Sequence, residues 1–352
     1  MAAGRVAGRL AGADAGDGRA ARAPNRLMAV PAPKIELHVH FEGTVRPETL
    51  LVIARRNGQR LPAETVEGLR QLYEFTDFDH FVRTWVLTTN CLRTADDFRR
   101  IVVAYAAEAV THGAVYLEGI FSPAERVRRG VGWADIFEGY ADGAAEAYER
   151  HGVRVLLTPD VDRELPPADA EECARQAVGY RDRGVVGFGL GGPELAAPAK
   201  AFARAVAIAR DGGLAFVPHG GEAGGPDSVR DLLELAPARI RHGIRAAEDD
   251  DLLAELRDRG VVLDVCPTSN LRTRVVESEA AHPLPRLVAA GLRCSVGTDD
   301  PAMFGTDLGR EHELAARLGL GPERAYAAGV AGALCDDATR DHLMAVGRRA
   351  YG

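Results

Sequence analysis

The sequence predicts one large α/β domain, a closed (β/α)8 barrel with extra helices inserted after its first strand and at its C-terminus. Three observations point there. Eight short apolar runs, each closed by turn residues, alternate with helical patterns down the chain. Runs such as Val153-Arg-Val-Leu-Leu157 and Val261-Val-Leu-Asp-Val265 are nearly continuous and β-branched, as strands must be when helices cover both faces of a parallel sheet. A chain of 352 residues with 46% hydrophobic content supplies the length and apolar material for one such barrel, although length alone would also admit two smaller domains.

Residues 1–31 are read as a disordered N-terminal extension. They are mostly Ala, Gly and Arg with Asp14 and Asp17, without apolar periodicity, and Met28 is an alternative start. Their acidic residues and lack of Ser argue against a transit peptide. A single domain is expected over 32–352. Its strands fall at about 35–40, 114–121, 153–161, 185–191, 214–219, 239–243, 261–266 and 292–298. Helices are expected between them at Pro47–Asn57, Asp77–His112, Trp133–His151, Ala168–Arg183, Pro198–Asp211, Ser228–Leu235, Ala247–Arg259 and Pro283–Ala290, with more after 306. Residues 41–113 are the irregular segment. Within it Thr76 reads as an N-cap, and Phe78, Phe81, Val82 and Trp85 share one helical face. That stripe is either packing or an apolar lid that keeps water from a substrate.

A net charge of -8 excludes the basic field that nucleic acid requires. No run has the length of a membrane span, and none resembles a secretory signal. The five cysteines are scattered, odd in number and without a CxxC, which fits free thiols in a reducing cytoplasm.

Chemistry in such barrels sits at the carboxyl ends of the strands. His38 and His40 end the first strand, and the period of two puts both imidazoles on one face. His219 ends the fifth strand and His242 the sixth, and Asp299 and Asp300 follow the eighth. The other six of the ten histidines lie away from strand ends. Three His and one Asp suit a catalytic zinc with an open position, and zinc lowers the pKa of water that it binds toward about 7. By position His219 and His242 both qualify as the third imidazole. The chain has only two lysines, Lys34 and Lys200, neither near the fourth strand. A carboxylated lysine bridging two metals is thus excluded there, and one Zn2+ per subunit is expected. The bland readings are that Glu222 is a helix-start acid, that Thr268, Ser269 and Asn270 are turn and cap residues, that Cys266 is a buried thiol, and that Asp249–Asp251 open an exposed helix.

Five segments, Pro33-Lys-Ile-Glu-Leu-His-Val-His-Phe-Glu-Gly-Thr44, His219-Gly-Gly-Glu222, Arg239-Ile-Arg-His-Gly243, Cys266-Pro-Thr-Ser-Asn270 and Thr298-Asp-Asp-Pro-Ala-Met-Phe304, resemble in order the motif set of the adenosine deaminase family. The resemblance implies that His38, His40, His219 and Asp299 bind zinc. It implies that Glu222 protonates N1 of a purine, that His242 deprotonates or orients the water, and that Asp300 holds the attacking hydroxide or the purine edge. Gly192 would approach the purine through its backbone. Three departures bear on specificity. Gly220 stands for the family's Ala, Glu42 stands where adenosine enzymes carry an Asp against the ribose 5′-hydroxyl, and Gly189 and Pro193 stand where the family has acids.

The activity so implied is zinc-dependent hydrolytic deamination of a 6-aminopurine, with adenosine as the leading substrate and a small-molecule purine as the partner. Alternatives are adenine as the free base, an adenosine with a 5′ or N6 substituent such as aminodeoxyfutalosine, and a non-catalytic purine-binding protein. The Pro-Cys-x-x-Cys of polynucleotide deaminases is absent. Neither nucleic acid nor a membrane is an expected partner, and a homo-oligomer stays open.

Overall fold

The computed structural model describes Met1 and residues 31–352, and Pro31–Gly352 form one compact unit. All but the two ends of the expected N-terminal extension lie outside the described residues.

Strand β1 (Lys34–His40) leads into a 3-10 turn, Phe41–Thr44, and then four helices, α1 (Pro47–Arg56), α2 (Val66–Leu72), α3 (Phe78–Thr89) and α4 (Ala95–Thr111). There follow β2 (Ala114–Phe121), α5 (Pro123–Val127), α6 (Trp133–His151), β3 (Arg154–Asp162), α7 (Pro167–Gly179), β4 (Gly187–Gly191) and α8 (Ala203–Asp211). The chain continues through β5 (Ala215–Phe216), β6 (His219–Gly220), α9 (Pro226–Glu234), β7 (Ile240–His242), α10 (Asp250–Arg259), β8 (Val262–Val265), α11 (Pro267–Arg272), α12 (Leu284–Ala289) and β9 (Arg293–Val296). Four helices end it: α13 (Pro301–Phe304), α14 (Leu308–Arg317), α15 (Pro322–Gly332) and α16 (Asp337–Tyr351).

Every strand pair is parallel, in the orders β1-β2-β3-β4-β5 and β6-β7-β8-β9. The two sets join into one barrel. β5 and β6 are successive pieces of the expected strand 214–219, interrupted at Pro218, which has no N–H for the ladder. Val217 N–H donates to Phe188 O and Arg241 N–H to Pro218 O, both at 2.9 Å, carrying the sheet past the break. At the other seam His40 N–H donates to Asp299 O at 2.8 Å and Asp299 N–H to His38 O at 3.1 Å.

The expected single helix over Asp77–His112 is two helices. Thr94 starts the second, its side chain accepting from Asp97 N–H while Asp97 accepts from Thr94 N–H. This reciprocal cap fixes a helix start that apolar periodicity runs straight through. Thr76 is not the N-cap of α3. Asp77 is, accepting from His80 N–H at 2.7 Å, and Thr76 only donates its hydroxyl to the Asp77 carboxylate. Asp249 caps α10 through Leu252 N–H, as an exposed helix start should.

Two fully buried arginines on and beside β7 occupy the barrel interior. Arg239 donates to Asp264, Glu118 and the carbonyls of Leu37 and Gly332, and Arg241 to Asp160 and Thr158. Such charges are tolerated inside only when paired and hydrogen-bonded. The pair Arg241–Asp160 ties the interior to the mouth above it.

Candidate metal centre and active site

His38 and His40 project inward from the end of β1, His219 opens β6, and Asp299 follows β9 beside them. The alternation of β1 that aims both imidazoles at the axis also buries Glu36 on the same face. Ligand atoms of His38, His40, His219 and Asp299 all lie within 4.8 Å of one another. His40 Nε2 is 3.1 Å from His219 Nε2, and Asp299 Oδ1 is 3.4 Å from Nε2 of both His38 and His40. Donors at about 2.0–2.1 Å around a tetrahedral cation stand roughly 3.3 Å apart, so the spacing fits one.

The other ring nitrogens point the same way. His38 Nδ1 meets Asp264 O at 3.2 Å, and His219 Nδ1 meets Leu190 O and Asp160 Oδ2, both at 3.0 Å. These acceptors hold a proton on Nδ1 and leave the Nε2 lone pair facing the cluster. His38 Nε2 is buried and has no hydrogen-bond partner. Burial holds the His40 imidazole down to about 3, and it pushes His242 well below and His219 below the usual histidine range. Burial thus favours the neutral form of His40 and His219, the form a metal ligand needs, and of His242 beside them. The four side chains fit a divalent cation. Asp299 and His242 both have positive φ, at 61° each, a costly backbone for such residues that persists where surroundings enforce it.

His242 does not take the third ligand place. Its Nε2 lies 3.5 Å from Glu222 Oε2 and 3.8 Å from Asp299 Oδ2, and its Nδ1 lies 3.3 Å from the Asn270 side-chain amide. Burial, then the charge of Asp299, pushes the Glu222 carboxyl well above the usual carboxylate range, and Asp300 moves up for the same two reasons. Two neutral carboxylic acids thus flank one imidazole and a charged ligand.

A pocket opens over this cluster. Phe78, Phe81, Val82, Trp85 and Val86 of α3 form one wall, so the apolar stripe of the irregular segment does face the site. Gly191 ends β4 and Gly192 follows it on another side, Asp160 and Asp162 lie at the end of β3, Ser122 follows β2 and Glu125 lies in α5. None of the described residues lining it is Lys or Arg. Burial raises Glu125 to about 8 and Asp162 to about 6. Glu125 Oε2 has no hydrogen-bond partner.

Glu42 is not part of this lining. It is buried, accepts from Ser122 N–H at 2.9 Å and lies 3.9 Å from the Arg126 guanidinium. Sited just past β1, Glu42 was expected to contact the substrate, and its side chain lies behind the lining residue Ser122. Ser269 and Asn270 are not caps either: they sit inside α11, where the Ser269 hydroxyl donates to Asp299 Oδ2 at 2.6 Å and Asn270 steadies His242. Cys266 is a fully buried thiol.

Asp160 went unnoticed in the sequence. It reaches His219 from β3, and burial is the largest single effect and opposes its charge, but the Arg241 guanidinium together with His219 and His40 outweighs it and holds the carboxyl well below the usual range. The departure at Gly189 explains its place. A Cβ at residue 189 would lie 2.1 Å from Asp160 Oδ1, so a side chain there and the Asp160 carboxylate exclude each other. The only clue was an acid at the end of a strand, in Thr158-Pro-Asp160.

The fold and this site are those of a metal-dependent deaminase barrel, and the comparisons agree. The adenosine deaminase family model matches residues 33–345, and the chain belongs to that family. An aminodeoxyfutalosine deaminase of Acidothermus cellulolyticus is 58% identical, covering 92% of this chain and 94% of its own. The crystal structure of an adenine deaminase from Arthrobacter aurescens superposes with a TM-score of 0.86 at 33% identity, over 90% of this chain and 99% of that one. A zinc-bound amidohydrolase from Burkholderia ambifaria superposes with a TM-score of 0.83 at 27% identity, over 90% of each chain. The protein is a hydrolytic deaminase of an adenine-like substrate.

Proposed function

We propose that the chain is a zinc-dependent deaminase of a 5′-substituted adenosine, with aminodeoxyfutalosine as its substrate, releasing ammonia and leaving the 6-oxopurine. The leading sequence expectation, adenosine itself, gives way to its alternative. The observation that carries this choice is Glu42. It lies outside the cavity lining and accepts from Ser122 N–H, so it is not placed to meet a free 5′-hydroxyl there, whereas Ser122, Glu125 and Asp162 line the cavity and the unpartnered Glu125 Oε2 can accept from a ribose hydroxyl. The 58% identity to an aminodeoxyfutalosine deaminase supports the same substrate. A second reading, adenine, is favoured by the likeness to the adenine deaminase structure. The same acceptors would then meet ring nitrogens carrying hydrogen.

His38, His40, His219 and Asp299 would hold the zinc, which when bound makes hydroxide available near neutral pH. Attack at C6 drives negative charge onto N1. Glu222, kept protonated by burial, donates its proton there. His242, kept neutral, receives or orients the proton of the attacking water, and Asp300 holds the purine edge or that water. Phe78, Phe81 and Trp85 exclude bulk water, which strengthens each of these contacts. One experiment tests the reading: an ultraviolet assay for loss of the 6-amino group with aminodeoxyfutalosine, adenine, adenosine and 2′-deoxyadenosine. Turnover of aminodeoxyfutalosine well above the others is expected. Faster turnover of adenine would establish the second reading.

A further inference from the structure

Four consecutive backbone N–H groups, those of Gly221, Glu222, Ala223 and Gly224, all point at the carboxylate of Glu194, from the loop after β4. The last three reach Oε2 at 3.1, 3.0 and 2.7 Å, and Gly221 N–H reaches Oε1. The Ser228 hydroxyl, from the first turn of α9, also donates to Oε1. A run of amides bent around one anion is a nest. Here the anion is part of the chain and 6% exposed. Arg163 clamps the arrangement from below, donating to the carbonyls of both Glu194 and His219.

We propose that Glu194 is a positioning residue for the reaction: its carboxylate is the template on which the loop carrying Glu222 folds, and so sets where the Glu222 carboxyl stands over the purine. The loop has no sheet or helix of its own between β6 and α9 to hold it. Its amides need a partner, and Gly221, Glu222 and Gly224 are buried, where an unpaired amide is costly. Gly224 makes the approach possible, since a Cβ there would lie 2.8 Å from the Glu194 carboxyl carbon. Without the anion the amides would turn elsewhere and carry Glu222 with them. A displacement of about 1 Å at a reacting group costs on the order of 100-fold in rate.

This rests on the reading of Glu222 as the proton donor, and a double-mutant cycle separates the two. Glu194→Gln, Glu222→Gln and the double variant are assayed with aminodeoxyfutalosine, or with adenine if the wild type prefers it, alongside zinc content and melting temperature. Glu194→Gln keeps one acceptor oxygen but turns an NH2 toward amide donors. It should lower kcat about 10- to 100-fold with KM and zinc content little changed. In the Glu222→Gln background it should cost nothing further, because it acts through Glu222. Wild-type kcat in Glu194→Gln, or the same fold-loss repeated in the double variant, would overturn the proposal. A wild-type rate in Glu222→Gln alone would instead overturn the underlying reading. If Glu194→Gln fails to fold or load zinc, Glu194→Asp carries the same cycle. It keeps the charge but withdraws it by one methylene, and its smaller loss must likewise vanish beside Glu222→Gln.

Discussion

The indole N–H of Trp85 donates to Asp300 Oδ1 at 2.8 Å, joining the lid helix α3 to an acid at the metal cluster. Arg126 stands 5.1 Å above the same ring and is itself held by Thr89 and Asn90 at the end of that helix. Helix α3 is therefore fastened through the edge and one face of a single indole. Trp85→Phe keeps the apolar wall and deletes the bond. A hydrogen bond to an uncharged group contributes about 0.5–1.5 kcal/mol, so kcat/KM should fall roughly 2- to 10-fold, measured by the ultraviolet assay. An unchanged kcat/KM would show that Asp300 needs no such support.

Glu222→Gln should keep the metal and lose the proton. The expected loss in kcat is about 10²–10⁴-fold, with one zinc per chain still found by elemental analysis. Near-wild-type turnover would remove Glu222 from the acid role.

Asp160→Asn leaves the His219 ring in place but weakens the acceptor at Nδ1. Loss of such a partner costs about 10- to 100-fold in metal affinity, which competition with a chelator would read. An unchanged affinity would leave the Leu190 carbonyl as the partner that matters.

Glu311, fully buried on α14, accepts from Thr268 N–H and the Thr306 hydroxyl, and burial pushes its carboxyl up to about 7. An acid whose folded pKa lies above its unfolded value favours the native state at low pH. Its contribution is fully present below about 4.5 and is lost as pH rises to about 7. The slope is about 1.4 kcal/mol per pH unit for one group. Glu311→Gln should therefore flatten the decline of melting temperature between pH 5 and 7 relative to the wild type. Parallel curves would show that Glu311 stays ionised in the native protein.

The residues that converge at the barrel mouth were legible because their signal is local. His38 and His40 need only strand alternation, and His219, His242 and Asp299 need only the ends of apolar runs. The residues that orient them were not. Asp160 acquires its role from the missing side chain at Gly189, one strand away, and Glu194 from a loop that begins 27 residues later. Ser269 and Asn270 carry the composition of a cap, and only the direction of α11 reveals that they face Asp299 and His242. Glu42 is legible as a motif position, but only the structure shows that its carboxylate accepts from Ser122 N–H and lies outside the cavity lining. The break between α3 and α4 was written in Thr94 and Asp97 and was masked by apolar periodicity on both sides.

The seam between His40 and Asp299 has a consequence for how the protein is made. The first and last strands of the barrel are stitched together by the backbones of the same residues whose side chains converge on the cation. A chain still on the ribosome has two of the four donors from the start, but cannot complete the set until residue 299 has left the exit tunnel. A cation held by these four side chains would bridge the first and last strands and lock the two ends of the barrel against each other.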